Sequence, residues 1–307
     1  TILSLMIIFT TVMIININKS IVRDLESNLK IQVGNYLQTA EVYDDSLRDS
    51  SLKLMGVFEK SFRGLRKKGN RKEKVNGVES PGLYDGFARV NGNLHPVDRF
   101  TDMTGAAAAI FVTDGDDYVR ITSSLKDEEG SRIMSDKIDI NSPKYTALQN
   151  KEKYMALETI AGKSYLSVYS PLISKDEIVG ALYIGYDFTE GLETLKKKLK
   201  KVKIGTTGYI YIMDNSGKLI LHPTLVGKDL TKVKDADGKF FAKEILKQKN
   251  GVIHYNYIDK GASREKVAAY AHYEKWGWTI VAGSYQDEFL QISEEVETNL
   301  TIATVLL

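Results

Sequence analysis

GAAAAIFVTDGDDYVRITSSL (residues 105–125) and GTTGYIYIMDNSGKLILHPTL (residues 205–225) are two renderings of one pattern. At an offset of 100, Ile110 meets Ile210, Phe111 meets Tyr211, Val112 meets Ile212, Asp114 meets Asp214 and Leu125 meets Leu225. Each copy is a β-rich apolar run, an Asp/Gly/Asn turn and a second alternating run, which predicts a β-hairpin. A self-similar stretch at this spacing predicts a duplicated module. The length agrees: 307 residues at roughly 150 per domain make about two.

The flanks of the two copies also correspond. After the first, SPKYTALQN (142–150) reads as a short helix with a Ser cap and Pro in its first turn, and strands follow near 154–160, 164–172 and 178–187. After the second, DGKFFAKEILKQK (237–249) reads as a helix, with strands near 251–258, 266–273 and 278–285. Each module is therefore expected to be a five-stranded antiparallel sheet with helix and loop between its second and third strands. TEGLETLKKKLKKVK (189–203) joins them as a helix with its lysines mainly on the polar side. The fold class is α+β.

Upstream, Ile21, Leu25, Leu29, Val33, Tyr36, Ala40, Tyr43, Leu47, Leu54, Phe58, Phe62 and Leu65 recur at steps of three or four or multiples of that period, the mark of a long amphipathic helix. Over 18–65 such a stalk reaches roughly 70 Å at about 1.5 Å per residue. It is expected to pack on the sheets and to leave a stripe for a second copy of the chain. The basic stretch KSFRGLRKKGNRKEK (60–74) loses this period and is expected to be an exposed, solvated loop.

The ends point to a membrane. TILSLMIIFTTVMIINI (1–17) has no charged side chain and precedes Asn18, Lys19 and Arg23. It is slightly short of the roughly 20 residues that span a bilayer, and reads as part of a transmembrane helix. The alternative, a cleaved signal peptide, lacks a small-x-small site. NLTIATVLL (299–307) begins a second apolar run. The expected order is a partial span (1–17), stalk (18–65), first module (66–188), connecting helix (189–203), second module (204–286), exit helix (287–299) and the start of a second span (300–307).

Composition removes several function classes. Lys+Arg 42 against Asp+Glu 40 argues against a nucleic-acid binder, which concentrates basic residues on one face. With no cysteine, disulfides, thiolate metal sites and cysteine nucleophiles are excluded. No P-loop, GxGxxG, HExxH or GxSxG pattern occurs, and Asp114, Asp116 and Asp117 suit a solvated turn better than acid–base chemistry. No enzyme activity and no cofactor are expected. His254 and His272 lie on neighbouring expected strands without a complete metal-ligand set. The segment DADG (235–238) is a turn before a helix, not a calcium loop.

The chain resembles the extracytoplasmic Cache sensor domains, in particular the fusion of a type 3 with a type 2 Cache module. The likeness is carried by MTGAAAAIFVTDGDDYVRITSSLKDEEGSR (103–132), SYLSVYSPLISKDEIVGALYIGYD (164–187), GTTGYIYIMDNSGKLILHPTLVGKDL (205–230) and WGWTIVAGSY (276–285). It implies PAS-like sheets on a long helix in bacterial chemotaxis receptors and some sensor kinases, with the first module farther from the membrane. It also implies a periplasmic or extracellular location and a small-molecule ligand.

Alternation locates a candidate site in the first module. Val119 and Ile121 alternate with Tyr118, Arg120, Thr122 and Ser124, so the second set is expected on the face away from the helix. Tyr165, Ser167 and Tyr169 alternate likewise on the fourth strand, with Tyr154 and Tyr183 on its neighbours. A partly enclosed Arg among hydroxyls suits a small carboxylate through two parallel charge-assisted hydrogen bonds. The alternatives for Arg120 are a surface arginine or an internal ion pair, with Glu158 as partner. Arg132, in the DEEGSR stretch that resembles the family's lid, is expected as a second clamp. In the second module Trp276 and Trp278 are expected to seal the core, though the likeness permits a carboxylate pocket there. A membrane-tethered structural module is the remaining alternative.

Overall fold

The computed structural model describes residues 2–259 and 261–291. Helix α1 (Ile2–Lys60) leads into β1 (Leu65–Val75), β2 (Val78–Asp85) and β3 (Ala88–Arg89), a three-stranded antiparallel meander. Helix α2 (His95–Thr104), β4 (Ala107–Asp114), β5 (Asp117–Ser123), α3 (Pro143–Gln149), β6 (Tyr154–Ile160), β7 (Lys163–Ser174) and β8 (Glu177–Asp187) complete the first module. After α4 (Thr189–Lys200) the second module comprises β9 (Lys203–Ile204), β10 (Gly208–Asp214), β11 (Leu219–Leu221), α5 (Phe241–Gln248), β12 (Asn250–Asp259), β13 (Ala262–Tyr273) and β14 (Trp278–Tyr285).

The duplication is visible in the strand order. The first sheet runs β5-β4-β8-β7-β6 and the second β11-β10-β14-β13-β12, with every pair antiparallel. In both, the first hairpin strand lies beside the last strand of its module. The second sheet gains a sixth strand, β9, on β10. Two compact units result: one takes α1 from Tyr43 with the chain to Glu193, the other takes α1 to Val42 with the chain from Thr194.

Local chemistry explains the helix ends. The Ser142 side chain accepts a hydrogen bond from the Tyr145 N–H at the start of α3, where Pro143 follows. Helix α2 stops at Gly105, whose φ of 74° closes the last turn through its N–H to the Thr101 carbonyl.

Two expectations need correction. The stalk helix ends at Lys60, and Leu65 already belongs to β1. The basic stretch is therefore largely a strand, not a loop: backbone pairing with β2 holds it, with a register shift between Lys67 and Lys72. A strand stabilised by its ladder and exposed on one side needs little apolar alternation, so the charge run concealed it. At the C-terminal side, residues 292–299 of the expected exit helix and the run 300–307 lie outside the described residues. Among the described residues, no helix is long and apolar enough to cross a membrane.

In the first module β4 is buried along nearly its whole length and separates two apolar layers. One layer joins Ala108, Ile110 and Val112 to Met55 and Phe58 of α1 and Val97 and Phe100 of α2. The other joins Ala107, Ala109 and Phe111 to Tyr118, Leu148, Tyr169 and Tyr183. Gly180 of β8 permits this close sheet, because a Cβ there would meet the Phe111 carbonyl oxygen. Backbone cannot swing aside as a side chain can. Gly180→Ala is therefore expected to cost about 1–3 kcal/mol of stability, measured by urea unfolding of the two proteins.

Candidate functional site

The site is the face of each sheet opposite the α1 layer. In the first module, Tyr118 and Arg120 of β5 reach that face with Tyr165, Ser167 and Tyr169 of β7 and Tyr183 of β8. Arg120 is 8% exposed, and its guanidinium lies over the rings of Phe111 at 4.8 Å and Tyr183 at 5.9 Å. Its Nε and Nη2 donate to the two carboxylate oxygens of Asp136 at 2.7 and 2.9 Å. The third nitrogen, Nη1, is buried and has no partner among the described residues. The Tyr118 hydroxyl is buried and unpartnered too, and burial, with Tyr145 beside it, pushes its pKa up to about 12. Two donors thus end in this face without acceptors, a costly arrangement for buried polar groups.

Around them runs a second, balanced charge pair. Lys144 of α3 donates to Glu158 at 2.7 Å and to the Tyr169 hydroxyl at 3.2 Å, while that hydroxyl donates to Glu158 at 2.9 Å. Burial works against the Glu158 carboxylate, but the bonds from Lys144, Ser167 and Tyr169 outweigh it and hold its pKa down. Burial first, then Glu158, raises Tyr169. Ser167 Oγ and Tyr183 Oη share a bond of 3.2 Å. Gly185, two residues along, leaves the space this phenol occupies. Tyr154 packs half-buried against the same cluster, opposite Tyr169 in the ladder.

Three of the expected residues stand elsewhere. Thr122 pairs with Ile110 and Arg120 with Phe111, so the register slips by one residue at Ile121. Such a bulge reverses the alternation beyond it. Thr122 and Ser124 consequently face the helix layer: Thr122 donates to the Asn93 carbonyl, and Ser124 bonds Thr101 of α2 and the Ala108 N–H. Arg132 is held by both oxygens of Asp98 in α2, at 2.6 and 2.9 Å, and by the Ser123 carbonyl, so it does not converge with Arg120. The ion-pair partner of Arg120 is Asp136, not Glu158. Asp136 comes from a loop that returns along β5, where Arg120 N–H donates to its carbonyl and Ile138 N–H to that of Tyr118. Nothing in the local sequence marks that return.

The second module presents a different polar centre, which alternation in the sequence missed. Lys266 of β13 is 2% exposed; among the described residues no carboxylate pairs with it, and its Nζ donates to the Tyr209 hydroxyl at 3.0 Å. The rings of Tyr209, Tyr285 and Tyr257 surround the ammonium at 4.1, 5.3 and 5.9 Å. Burial lowers its pKa to about 8 against the attraction of Asp259 and Glu288. His222 shares the same phenol through Nε2 at 3.2 Å. Its Nδ1 accepts the Thr224 and Leu225 N–H groups, so the neutral ring carries its proton on Nε2. Burial, then the Lys266 charge, brings the histidine down to about 4. The only sequence signal was Lys266 standing in phase with Ala268 and Tyr270 on a strand whose inner positions are apolar.

The two candidate metal histidines do not meet. His254 sits between Glu26 of α1 at 2.8 Å and Glu265 at 3.2 Å, and His272 bonds Thr279 and Glu274. Among the described residues no cluster of three metal-ligating side chains occurs. Trp278 is buried and Trp276 half-buried, in edge-to-face contact at 4.6 Å.

Twin PAS-like sheets on one long helix, each with a polar inner face, define a class of tandem sensory domain. The chain belongs to the family described as the Cache 3/Cache 2 fusion domain, which matches residues 15–299. The isoleucine-bound sensory domain of the Campylobacter jejuni chemoreceptor Tlp3 (CcmL) has a similar fold: TM-score 0.53, 11% identity, 89% of this chain and 98% of that one covered. The extracellular domain of the putative histidine kinase mmHK1S-Z2 aligns with 63% of this chain and 81% of its own at 14% identity and TM-score 0.40. A methyl-accepting chemotaxis protein of Vibrio parahaemolyticus RIMD 2210633 aligns with 33% of this chain and 73% of its own at 23% identity and TM-score 0.30. None of the curated proteins matches.

The His222 geometry sets a pH dependence. A base whose pKa falls from 6.5 unfolded to about 4 folded contributes stability in full above pH 6.5 and loses it as pH drops toward 4. The thermal midpoint of the wild type should fall more steeply over that window than that of His222→Gln, followed by circular dichroism.

Proposed function

We propose that this chain is the extracytoplasmic sensory region of a bacterial transmembrane chemotaxis receptor, binding a small organic carboxylate on the inner face of its first module. One observation carries the reading: Arg120 keeps Nη1 buried and free while Asp136 holds the rest of the guanidinium in place. A carboxylate oxygen at Nη1, with Tyr118 donating to the other, satisfies both orphaned donors at once. The bound carboxylate then shares the guanidinium with Asp136, which keeps its bonds to Nε and Nη2, so occupancy borders the loop that carries Asp136. Titration calorimetry of a soluble form (residues 18–299) with a panel of small carboxylates and amino acids should find a saturating ligand. Tyr118→Phe and Arg120→Ala should weaken it by about tenfold or more, as expected for a charge-assisted bond. Unchanged affinity in both variants would refute the assignment.

A second reading places the anion in the second module, and the buried, uncompensated Lys266 favours it. A carboxylate there supplies the missing counter-charge and raises the lysine pKa from about 8, so binding near pH 8 takes up protons. Calorimetry in buffers of differing ionisation enthalpy would register that uptake, and Lys266→Met should abolish it.

Membrane attachment and pairing of two chains complete the proposal. Leu5, Ile8, Phe9, Val12 and Ile15 are exposed on the first turns of α1, which suits lipid contact, and Ile31, Val42 and Leu52 remain exposed along the stalk, which suits a second copy. Ligand transmits a signal only by binding two packings of the sheet on α1 unequally. The alternative output, a histidine kinase, shares every feature of this region. A methyl-accepting coiled coil in the same polypeptide would select the first output, a phospho-acceptor histidine domain the second.

A further inference from the structure

The first module has a concavity on the helix side of its sheet, away from Arg120. It is a cavity of about 370 Å³ between the last turn of α1, the β2–β3 meander and α2, within the size range of small-molecule sites. Its walls are apolar, from Val57, Phe62, Phe100 and Met103, and two of these stand in water: Met103 is 70% and Val57 53% exposed.

Its rim carries two arginines, Arg89 and Arg99, and the His95 ring, against one carboxylate, Asp85. The Asp85 charge is already engaged by the Arg63 and Gly64 N–H groups, both at 2.9 Å. Arg89 bonds Glu73 through Nη1 alone, and Arg99 has no ion-pair or hydrogen-bond partner among the described residues. The first turn of α2, where His95 and Pro96 also line the cavity, adds the positive end of a helix dipole.

We propose that this cavity is a second ligand site, for an amphipathic organic anion whose carboxylate meets Arg99 and Arg89 and whose aliphatic body lies on Phe62, Phe100 and Met103. The unpaired Arg99 and the nitrogens of Arg89 not engaged by Glu73 select the charge of the head, and the exposed Met103 thioether with the partly buried Phe62 ring selects an apolar body in place of a polar one. Such an occupant touches the two rings that flank Phe58 of α1, at centroid distances of 5.2 and 4.7 Å. It therefore acts on the stalk directly, without passing through the Arg120 face.

The test uses the full chain in nanodiscs with 13C-methyl methionine, titrated with octanoate and, to separate site binding from partition into lipid, with octanamide. Seven methionines report on separate places. The Met103 resonance should shift and saturate with octanoate while Met213 of the second module stays still. Octanamide and Arg99→Ala should each raise the half-saturating concentration about tenfold, and Arg120→Ala should leave it unchanged. A Met103 shift that never saturates, or that octanamide reproduces equally, overturns the proposal. So does a shift lost in Arg120→Ala but kept in Arg99→Ala, which would assign octanoate to the opposite face and leave the Arg120 reading standing.

Discussion

Burial of the central hairpin strand on both of its faces is the constraint on which each module depends. An antiparallel sheet with one wet face needs only a single apolar side; here β4 has Ala, Ile, Phe and Val directed both ways, and every position from Ala107 to Thr113 is buried. One face receives α1 and α2. The other is closed by α3 and the returning loop, so any polar side chain on it must find its partners inside. The close approach that Gly180 allows keeps the strands in register, and the aromatic wall of Tyr118, Tyr169 and Tyr183 fills the second face.

The two modules satisfy this constraint with different electrostatics. In the first, the buried Arg120 meets Asp136 and the half-buried Lys144 meets Glu158, so the face is rich in hydrogen bonds and near neutral in charge. In the second, among the described residues, Lys266 contacts phenol oxygen and aromatic faces and pairs with no carboxylate. Removing an ammonium from water without a counter-ion is costly, and the fold meets that cost by weakening its hold on the proton and by keeping His222 neutral beside it. A duplicated backbone thus carries one face suited to hydrogen-bonded recognition and another that lacks a negative charge.

Polar contacts also tie the helices to the sheets. Ser170 of β7 and Lys153 reach Glu59 near the end of α1, while His254 joins β12 to Glu26 within the other unit. At the exit, Glu288 accepts from the Thr206 and Thr207 N–H groups and from Ser284, and Arg264 holds Asp287 with two bonds of 2.7 Å. Charge-assisted bonds of this kind are directional, so they fix the start of the C-terminal segment against the edge of the sheet.

The strands after each hairpin, the duplication and the long helix were legible in the sequence, because side-chain periods of two and of three to four are local properties that burial enforces along each element; the order in which the strands pair was not. Tyr118, Arg120, Tyr165, Ser167, Tyr169 and Tyr183 follow the simple alternation and share one face. Thr122 and Ser124 depart from it because a bulge at Ile121 depends on the partner strand, which a linear pattern does not contain. The strand character of the basic run 65–75 was hidden for a related reason, its stability residing in β2. Only tertiary structure decided that Asp136 and Asp98 claim the two arginines, that Lys266 lacks a counter-ion, and that a cationic cavity opens beneath α2. Those outcomes rest on distances between residues far apart in the chain, and charge and hydrogen bonding depend on distance where periodicity does not.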